Sequence, residues 1–289
     1  MTTSSPLVSV IIPCYNHEKF VKEALQSVIN QTYTNIQLIV IDDGSTDNSV
    51  EVIKELKQNF DFVFETQSNI GLSSTLNKGI TKYAKGKYIA ILASDDIWQE
   101  NKLSIQVKFL ENNKDFAMVC SNAFIVNSQS EIVDKFYNNF TNPNISFTEI
   151  ALGRKIIPAL TVIIRKEIFD FVGLFDKNLL IEDWDMWLRI SYKYKVAGID
   201  AYLANYRQHA FNTSSIKLEG MTMSRFEILS KWKGLIKEKL FNKIYRNLEI
   251  VAMNELGTNE LLKRYVKPTF IKMLNSKYRK LVFKNIYKI

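Results

Sequence analysis

The chain has 289 residues, a formal net charge of +8 and 46% hydrophobic residues. That length and apolar content suit one large folded domain, or one domain with an appendage, and exclude a globally disordered chain. Two cysteines, Cys14 and Cys120, make no CxxC spacing and no disulfide framework, so both read as buried packing residues in a reducing compartment.

Residues 1–6 carry no basic stretch leading into an apolar one, so no secretory signal is read. No apolar run nears the ~20 residues of a membrane span. Leu7 to Ile12 is a β-branched run that reads as a strand buried on both faces and ended by Pro13. Phe20, Val21, Ala24, Leu25 and Val28 repeat at helical spacing over residues 18–30. Residues 36–41 are a second strand, 44–47 a turn, and Val50, Ile53 and Leu56 mark a second helix. A third strand at 62–64, a helix over 72–84, a strand at 88–92 and a helix over 99–112 follow. This alternation predicts an α/β fold with a mainly parallel sheet and helices on both faces, a nucleotide-binding half over about 1–115.

After residue 115 the rhythm breaks. Strands are expected at 116–120 and 161–164, a polar excursion over 127–150 and a helix over 184–194, forming an acceptor-binding half over about 116–220. From residue 221 the pattern is helical to the end, a basic amphipathic extension over 221–289. Residues 231–289 hold 15 Lys and Arg against 4 Asp and Glu, which leaves the rest of the chain slightly acidic. Aromatic residues such as Trp232, Phe241, Tyr245, Tyr265, Phe270 and Tyr278 are interleaved with those charges. A basic, aromatic, amphipathic helix reads as membrane-surface binding. No nucleic-acid recognition motif accompanies the charge.

Acidic residues gather where strands end and helices begin. In an open α/β sheet the loops at the carboxyl ends of strands converge on one crevice, and ligands bind there. Carboxylates gathered in it suit a cation, a sugar hydroxyl or a base edge. Pro13-Cys14-Tyr15-Asn16 closes the first strand, offering free backbone N–H groups to a nucleotide phosphate and Tyr15 to stack on a base. His17, at a helix start, reads as a surface or capping residue. In Asp42-Asp43-Gly44-Ser45-Thr46-Asp47, Thr46 or Asp47 can cap the next helix. That leaves Asp42 and Asp43 to accept from a ribose hydroxyl or a base N–H. No G-x-G-x-x-G follows the first strand, which argues against a dinucleotide dehydrogenase.

The stretch Asn69-Ile70-Gly71 to Asn77-Lys78-Gly79 combines a turn with a short helix, and capping does not account for Asn77. Ser94-Asp95-Asp96 ends the fourth strand, where one or two carboxylates can hold Mg²⁺ or Mn²⁺ together with substrate phosphates. Glu182-Asp183-Trp184-Asp185 opens a helix; the dipole favours acids there, and a carboxylate at that point is placed for general-base work. His209, in Tyr206-Arg207-Gln208-His209, is a candidate metal ligand or phosphate contact.

In this order and spacing the motifs resemble the family 2 glycosyltransferases with a GT-A fold, which are inverting and use nucleotide-sugars. The likeness runs from about Val8 to Asn212. The resemblance implies that Pro13, Tyr15 and Asp43, with Asp42, line a nucleoside pocket. It adds Asn16, Asn69, Gly71 and Asn77 to the donor-binding set and puts Asp95 on the ribose or sugar. Asp96 would hold a divalent metal (Mn²⁺ or Mg²⁺) on the diphosphate, with His209 reaching the metal. Ala93 and Ser94 stand where many members have a further acid. Asp183 matches the catalytic base, with Glu182 and Trp184 beside the acceptor. The implied protein is an inverting transferase moving a sugar, from UDP by family habit, to a glycan or lipid-linked glycan. It would sit in the cytoplasm, peripheral on the inner face of a bacterial membrane. Two other readings use the same residues: a catalytically silent nucleotide-sugar-binding scaffold at the membrane, and a sugar-phosphate nucleotidyltransferase, which would want a Gly-rich basic loop after the first strand.

Overall fold

The computed structural model describes residues 5–210, 212 and 218–256. The chain divides into two compact units, Met1–Asn212 and Thr213–Ile289. In the first unit, β1 (Val8–Cys14) is buried at every position because parallel neighbours flank it on both sides. These neighbours are β2 (Ile36–Asp42) and β4 (Tyr88–Ile91). The β1 strand runs through Pro13 rather than ending there. Of β1, Val8 to Ile11 pair with β4, so the missing N–H of Pro13 lies beyond the last rung on that side.

The sheet order is β3-β2-β1-β4-β9-β6-β10-β5, where β3 is Val63–Thr66, β5 Ile97–Trp98, β6 Phe116–Val126, β9 Ile163–Arg165 and β10 Lys195–Arg207. The first four strands, β1 to β4, pair in parallel throughout, as expected. Beyond β4 antiparallel pairing enters: β9 runs against both β4 and β6, and β5 against β10, while β6 and β10 are parallel. The polar excursion is not bare loop. It contributes β7 (Ile132–Phe136) against β6, β8 (Asn144–Ile145) against β10, and α5 (Phe147–Ala151) with a Ser146–Glu149 capping box.

Helices α1 (Val21–Ile29), α2 (Ser49–Lys57), α3 (Leu72–Lys78) and α4 (Lys102–Asn112) connect the strands of this half. α1 buries Val21, Ala24, Leu25 and Val28, a stripe at helical spacing. α3 continues into a turn of π-helix over Gly79–Tyr83, where Gly79 lies against Ile11. Two further helices, α6 (Ile168–Val172) and α7 (Glu182–Lys193), precede β10. β1 lies between strands reached by connections on either side, so the carboxyl ends of β1 and β4 form a topological switch point, where α/β sheets bind ligands.

In the second unit, α8 (Leu218–Lys231) and α9 (Glu238–Leu256) pack against each other, with Phe226 edge-on to Tyr245 at 5.5 Å. Much of the expected basic extension, residues 257–289, lies outside the described residues. Among the described residues no helix is long and apolar enough to cross a membrane.

Candidate active site

The loops after β1 and β2 are stitched together by side chains. Asn16 has φ +55°, a left-handed conformation that Asn tolerates better than most residues. Its Oδ1 accepts from the Thr46 N–H at 2.8 Å, and its own N–H donates to Ser45 Oγ at 2.9 Å. The backbone N–H of His17 donates to Ser49 Oγ, and that of Glu18 to Asp47 Oδ2, each at 2.9 Å. Asn16 therefore acts as a brace between loops, and Tyr15 beside it is 47% exposed.

Asp42 and Asp43 are both buried and do different things. Asp43 Oδ1 accepts from Gln67 Nε2 at 2.8 Å and the Ile70 N–H at 2.9 Å, while its Oδ2 accepts from the Gly71 N–H at 2.9 Å. It thus anchors the loop carrying Asn69 and Gly71. Gly44 is required at this crossing: it has φ +80°, and a Cβ would stand 2.8 Å from the Asn69 nitrogen. Asp42 Oδ1 accepts from the Gly44 and Ser45 N–H groups at 3.2 and 3.0 Å. Its Oδ2 is buried without a partner, an acceptor that a ligand donor would satisfy. Asn77, expected in the donor-binding set, has both ends of its amide engaged within the protein. Its Nδ2 donates to the Phe175 carbonyl at 2.8 Å and its Oδ1 accepts from the Phe175 N–H at 2.9 Å, fastening the segment that leads to α7.

After β4 the two acids part. The Asp96 N–H donates to the Ala93 carbonyl, closing a turn. Asp96 Oδ1 then accepts from the Arg207 N–H at 2.8 Å. Burial, then the charge of Asp95, pushes the Asp96 carboxyl well above the ordinary range. Asp95 turns the other way. Its Oδ2 lies 3.0 Å from His209 Nε2 and 3.8 Å from His17 Nε2. Burial acts to raise the Asp95 carboxyl, but the His209 hydrogen bond and the two imidazoles outweigh it and hold it below its usual value. Burial lowers His17, favouring the neutral ring. The sequence reading paired His209 with Asp96; the structure pairs it with Asp95 and adds His17. Ligand atoms of His17, Asp95 and His209 lie within 4.8 Å of one another, a donor set of two imidazoles and a carboxylate that fits a divalent metal.

Glu182 and Asp183 open α7. Burial raises Asp183 to about 6, opposed by the Trp184 N–H, which donates to Asp183 Oδ1 at 2.6 Å. Burial, then the adjacent charge of Asp183, raises Glu182 to about 8. The helix is held from both sides. Trp187 Nε1 donates to the Ile157 carbonyl at 3.1 Å and Trp184 Nε1 to the Ile150 carbonyl at 3.3 Å. Arg189 pairs with Asp185 at 2.8 Å and donates to the Leu174 carbonyl at 2.9 Å. Trp98, two residues past Asp96, donates to the Leu160 carbonyl at 2.8 Å, so the Asp95 turn and α7 lean on the same 157–160 segment.

The sequence model described as Glycosyl transferase family 2 matches residues 9–169, more than half of the chain. The chain belongs to glycosyl transferase family 2. An uncharacterized glycosyltransferase of Rickettsia prowazekii is 32% identical over 238 residues, covering 81% of this chain and 73% of that protein. Among solved structures, S. aureus TarS 1–349 in complex with UDP-GlcNAc superposes with a TM-score of 0.71 at 18% identity, over 91% of this chain and 77% of that one. A mannosyltransferase from Pyrobaculum calidifontis in complex with GDP-Man and Mn²⁺ gives 0.64 at 15% identity, over 99% and 85%. These likenesses establish the GT-A fold, followed by helices, for this family 2 glycosyltransferase.

Two contributors escaped the sequence reading. His17 looked like a cap, and only the adjacency of β1 and β4 brings it to Asp95. Arg207 carried no signal beyond its place two residues before His209.

Proposed function

We propose that this family 2 glycosyltransferase moves a sugar from a nucleotide-sugar, with UDP as the nucleotide, to a hydroxyl of a glycan or lipid-linked glycan, inverting the anomeric centre. The observation that carries this is the acid pair opening α7, where Asp183 has a carboxyl near 6 beside a Glu182 near 8. At neutral pH Asp183 is ionised yet basic enough to take a proton, the property a general base needs.

Asp183 accepts the acceptor hydroxyl proton. The hydroxyl oxygen bonds to the anomeric carbon, and the bond to the diphosphate breaks with its electron pair staying on the departing phosphate oxygen. One displacement needs no enzyme nucleophile. Asp95 and His209 would hold a divalent cation, which when bound supplies positive charge to the leaving diphosphate. The unpartnered Asp42 Oδ2 offers an acceptor to the nucleoside, and exposed Tyr15 a face for the base. TarS with UDP-GlcNAc and the mannosyltransferase with GDP-Man and Mn²⁺ support a donor of this class. The basic residues 231–289 favour an anionic membrane surface, where a lipid-linked acceptor resides.

A melting-temperature series against UDP-, GDP- and dTDP-sugars with Mn²⁺ tests the reading. A donor at 100 times its Kd stabilises the native state by about 2.7 kcal/mol, so the true nucleotide raises Tm by degrees. A flat response to every donor sinks the proposal.

A further inference from the structure

The proposed function places a cation on Asp95 and His209 alone, and this inference rests on that reading. We propose that His17 is a third protein ligand, so that the centre has two imidazoles and one carboxylate and selects a first-row transition ion such as Mn²⁺ or Co²⁺ over Mg²⁺.

Three observations meet here. The first is distance. Ligands about 2.1 Å from a metal stand roughly 3.0 to 3.4 Å apart at angles between 90° and 109°. Asp95 Oδ2 is 3.0 Å from His209 Nε2 and 3.8 Å from His17 Nε2, and the three ligand atoms all lie within 4.8 Å of one another, so the set closes once the His17 ring moves inward. The second is orientation. His17 Nδ1 lies 2.8 Å from Ser94 Oγ, a hydrogen bond that fixes the ring and leaves Nε2 facing Asp95. A ligating histidine typically has its other nitrogen tied to a neighbour in this way. On the far side, the His209 ring stacks on Phe20 at 4.9 Å, which limits its rotation. The third is what is missing from the carboxylate side. Ala93 brings no side-chain oxygen to the turn, and Asp96 Oδ1 is engaged by the Arg207 N–H. The nitrogen from the β1 loop fills the place that another acid would take.

The exchange has a chemical consequence. Mg²⁺ prefers oxygen ligands and keeps its waters, whereas imidazole suits later first-row ions. Two nitrogens and one oxygen on one side leave the other positions to diphosphate oxygens and water.

The test is direct metal binding by calorimetry and by the visible absorption of Co²⁺, with saturating UDP and no acceptor, so that turnover is not the readout. Wild type, His17→Ala, His17→Gln, His209→Ala and Asp95→Asn are compared, with metal-free melting as the fold control. The expected result is Mn²⁺ and Co²⁺ binding at least tenfold tighter than Mg²⁺ in the wild type. His17→Ala loses at least tenfold for Mn²⁺ and Co²⁺ and changes Mg²⁺ by less than threefold, and the Co²⁺ absorption shifts or fades. If His17→Ala melts early, His17→Gln is read instead. Wild-type affinities in the His17 variants, with losses in His209→Ala and Asp95→Asn, overturn the third ligand and leave the cation reading standing. No metal binding by the wild type overturns both.

Discussion

Replacing Asp183 by Asn separates catalysis from folding, because the two respond in opposite directions. The half-buried carboxyl is raised by desolvation from 3.8 to about 6, so the fold disfavours its ionised form. For such a group stability is full below the unfolded value near 3.8 and is lost as pH rises towards 6. At about 1.36 kcal/mol per unit the full shift amounts to ~3 kcal/mol. Asp183 is only half-buried, so solvent screening reduces this to about 1–2 kcal/mol. Asn carries no charge and its side-chain oxygen can still accept from the Trp184 N–H. Asp183→Asn is therefore expected to melt several degrees above the wild type at pH 7 and level with it at pH 4. Over the same change turnover falls by roughly 10²–10⁴-fold, the typical contribution of a positioned base. Wild-type activity is expected to rise with pH through about 6, and the variant's residual activity to lose that step. The assays are thermal melts at the two pH values and transfer from a labelled donor to acceptor. A variant with wild-type turnover removes Asp183 from the base role. A variant destabilised equally at both pH values refutes the electrostatic argument.

Asp96→Asn is expected to bind Mn²⁺ within about threefold of the wild type, while Asp95→Asn loses at least tenfold, about the effect of disturbing a metal site's immediate support; the reverse ranking in a titration would return the cation to Asp96. Asn77→Ala removes both hydrogen bonds to the Phe175 backbone and is expected to cost about 1–3 kcal/mol in a denaturation curve. Donor affinity stays within twofold, and a tenfold loss would give Asn77 back its donor contact. The full chain is expected to bind anionic vesicles in a salt-sensitive manner, each basic residue near the surface adding about 1 kcal/mol. Truncation after Asn259 abolishes that binding in a flotation assay, and equal flotation of both forms rejects the membrane role.

The parallel half was legible because β1, β4 and most of β2 are buried on both faces. Val8 to Ile12 and Ile36 to Ile41 are the near-continuous, β-branched runs that such strands carry. β10 was not legible. Its sequence includes Gly198 and Asp200, and its register against β6 slips between Ile199 and Tyr202 and again before Ala204. Those irregularities erase the two-residue period by which a strand is read. With β10 hidden, the family resemblance alone brings His209 to the turn after β4, and nothing in the sequence brings Arg207 there. The choice between Asp95 and Asp96 was equally hidden. Which of two consecutive acids faces the site depends on the turn that the Asp96 N–H closes onto Ala93, a backbone detail without a composition signal.

Arg207 explains why that turn holds its shape. Its guanidinium is buried and fully engaged. Nε donates to the Asp95 carbonyl at 2.7 Å, one terminal nitrogen to the Asn127 carbonyl and Ser130 Oγ at 3.1 and 3.0 Å, and the other to Glu23 Oε2 at 2.6 Å. Its face lies 4.8 Å from the Phe20 ring, on which His209 also stacks. Because Glu23 is 46% exposed, that ion pair alone contributes little. The value of the network lies in geometry. One planar cation ties α1, the 127–130 turn and the end of β4 together, and its own N–H fixes the neighbouring Asp96. A lysine could not reproduce this, having a single compact charge in place of a rigid fork. The carbonyl of Asp95 is thus clamped from one side while its carboxylate faces the histidines on the other. A site held this way meets its substrate without first reorganising, and that preorganisation is where positioned charge gains its catalytic effect.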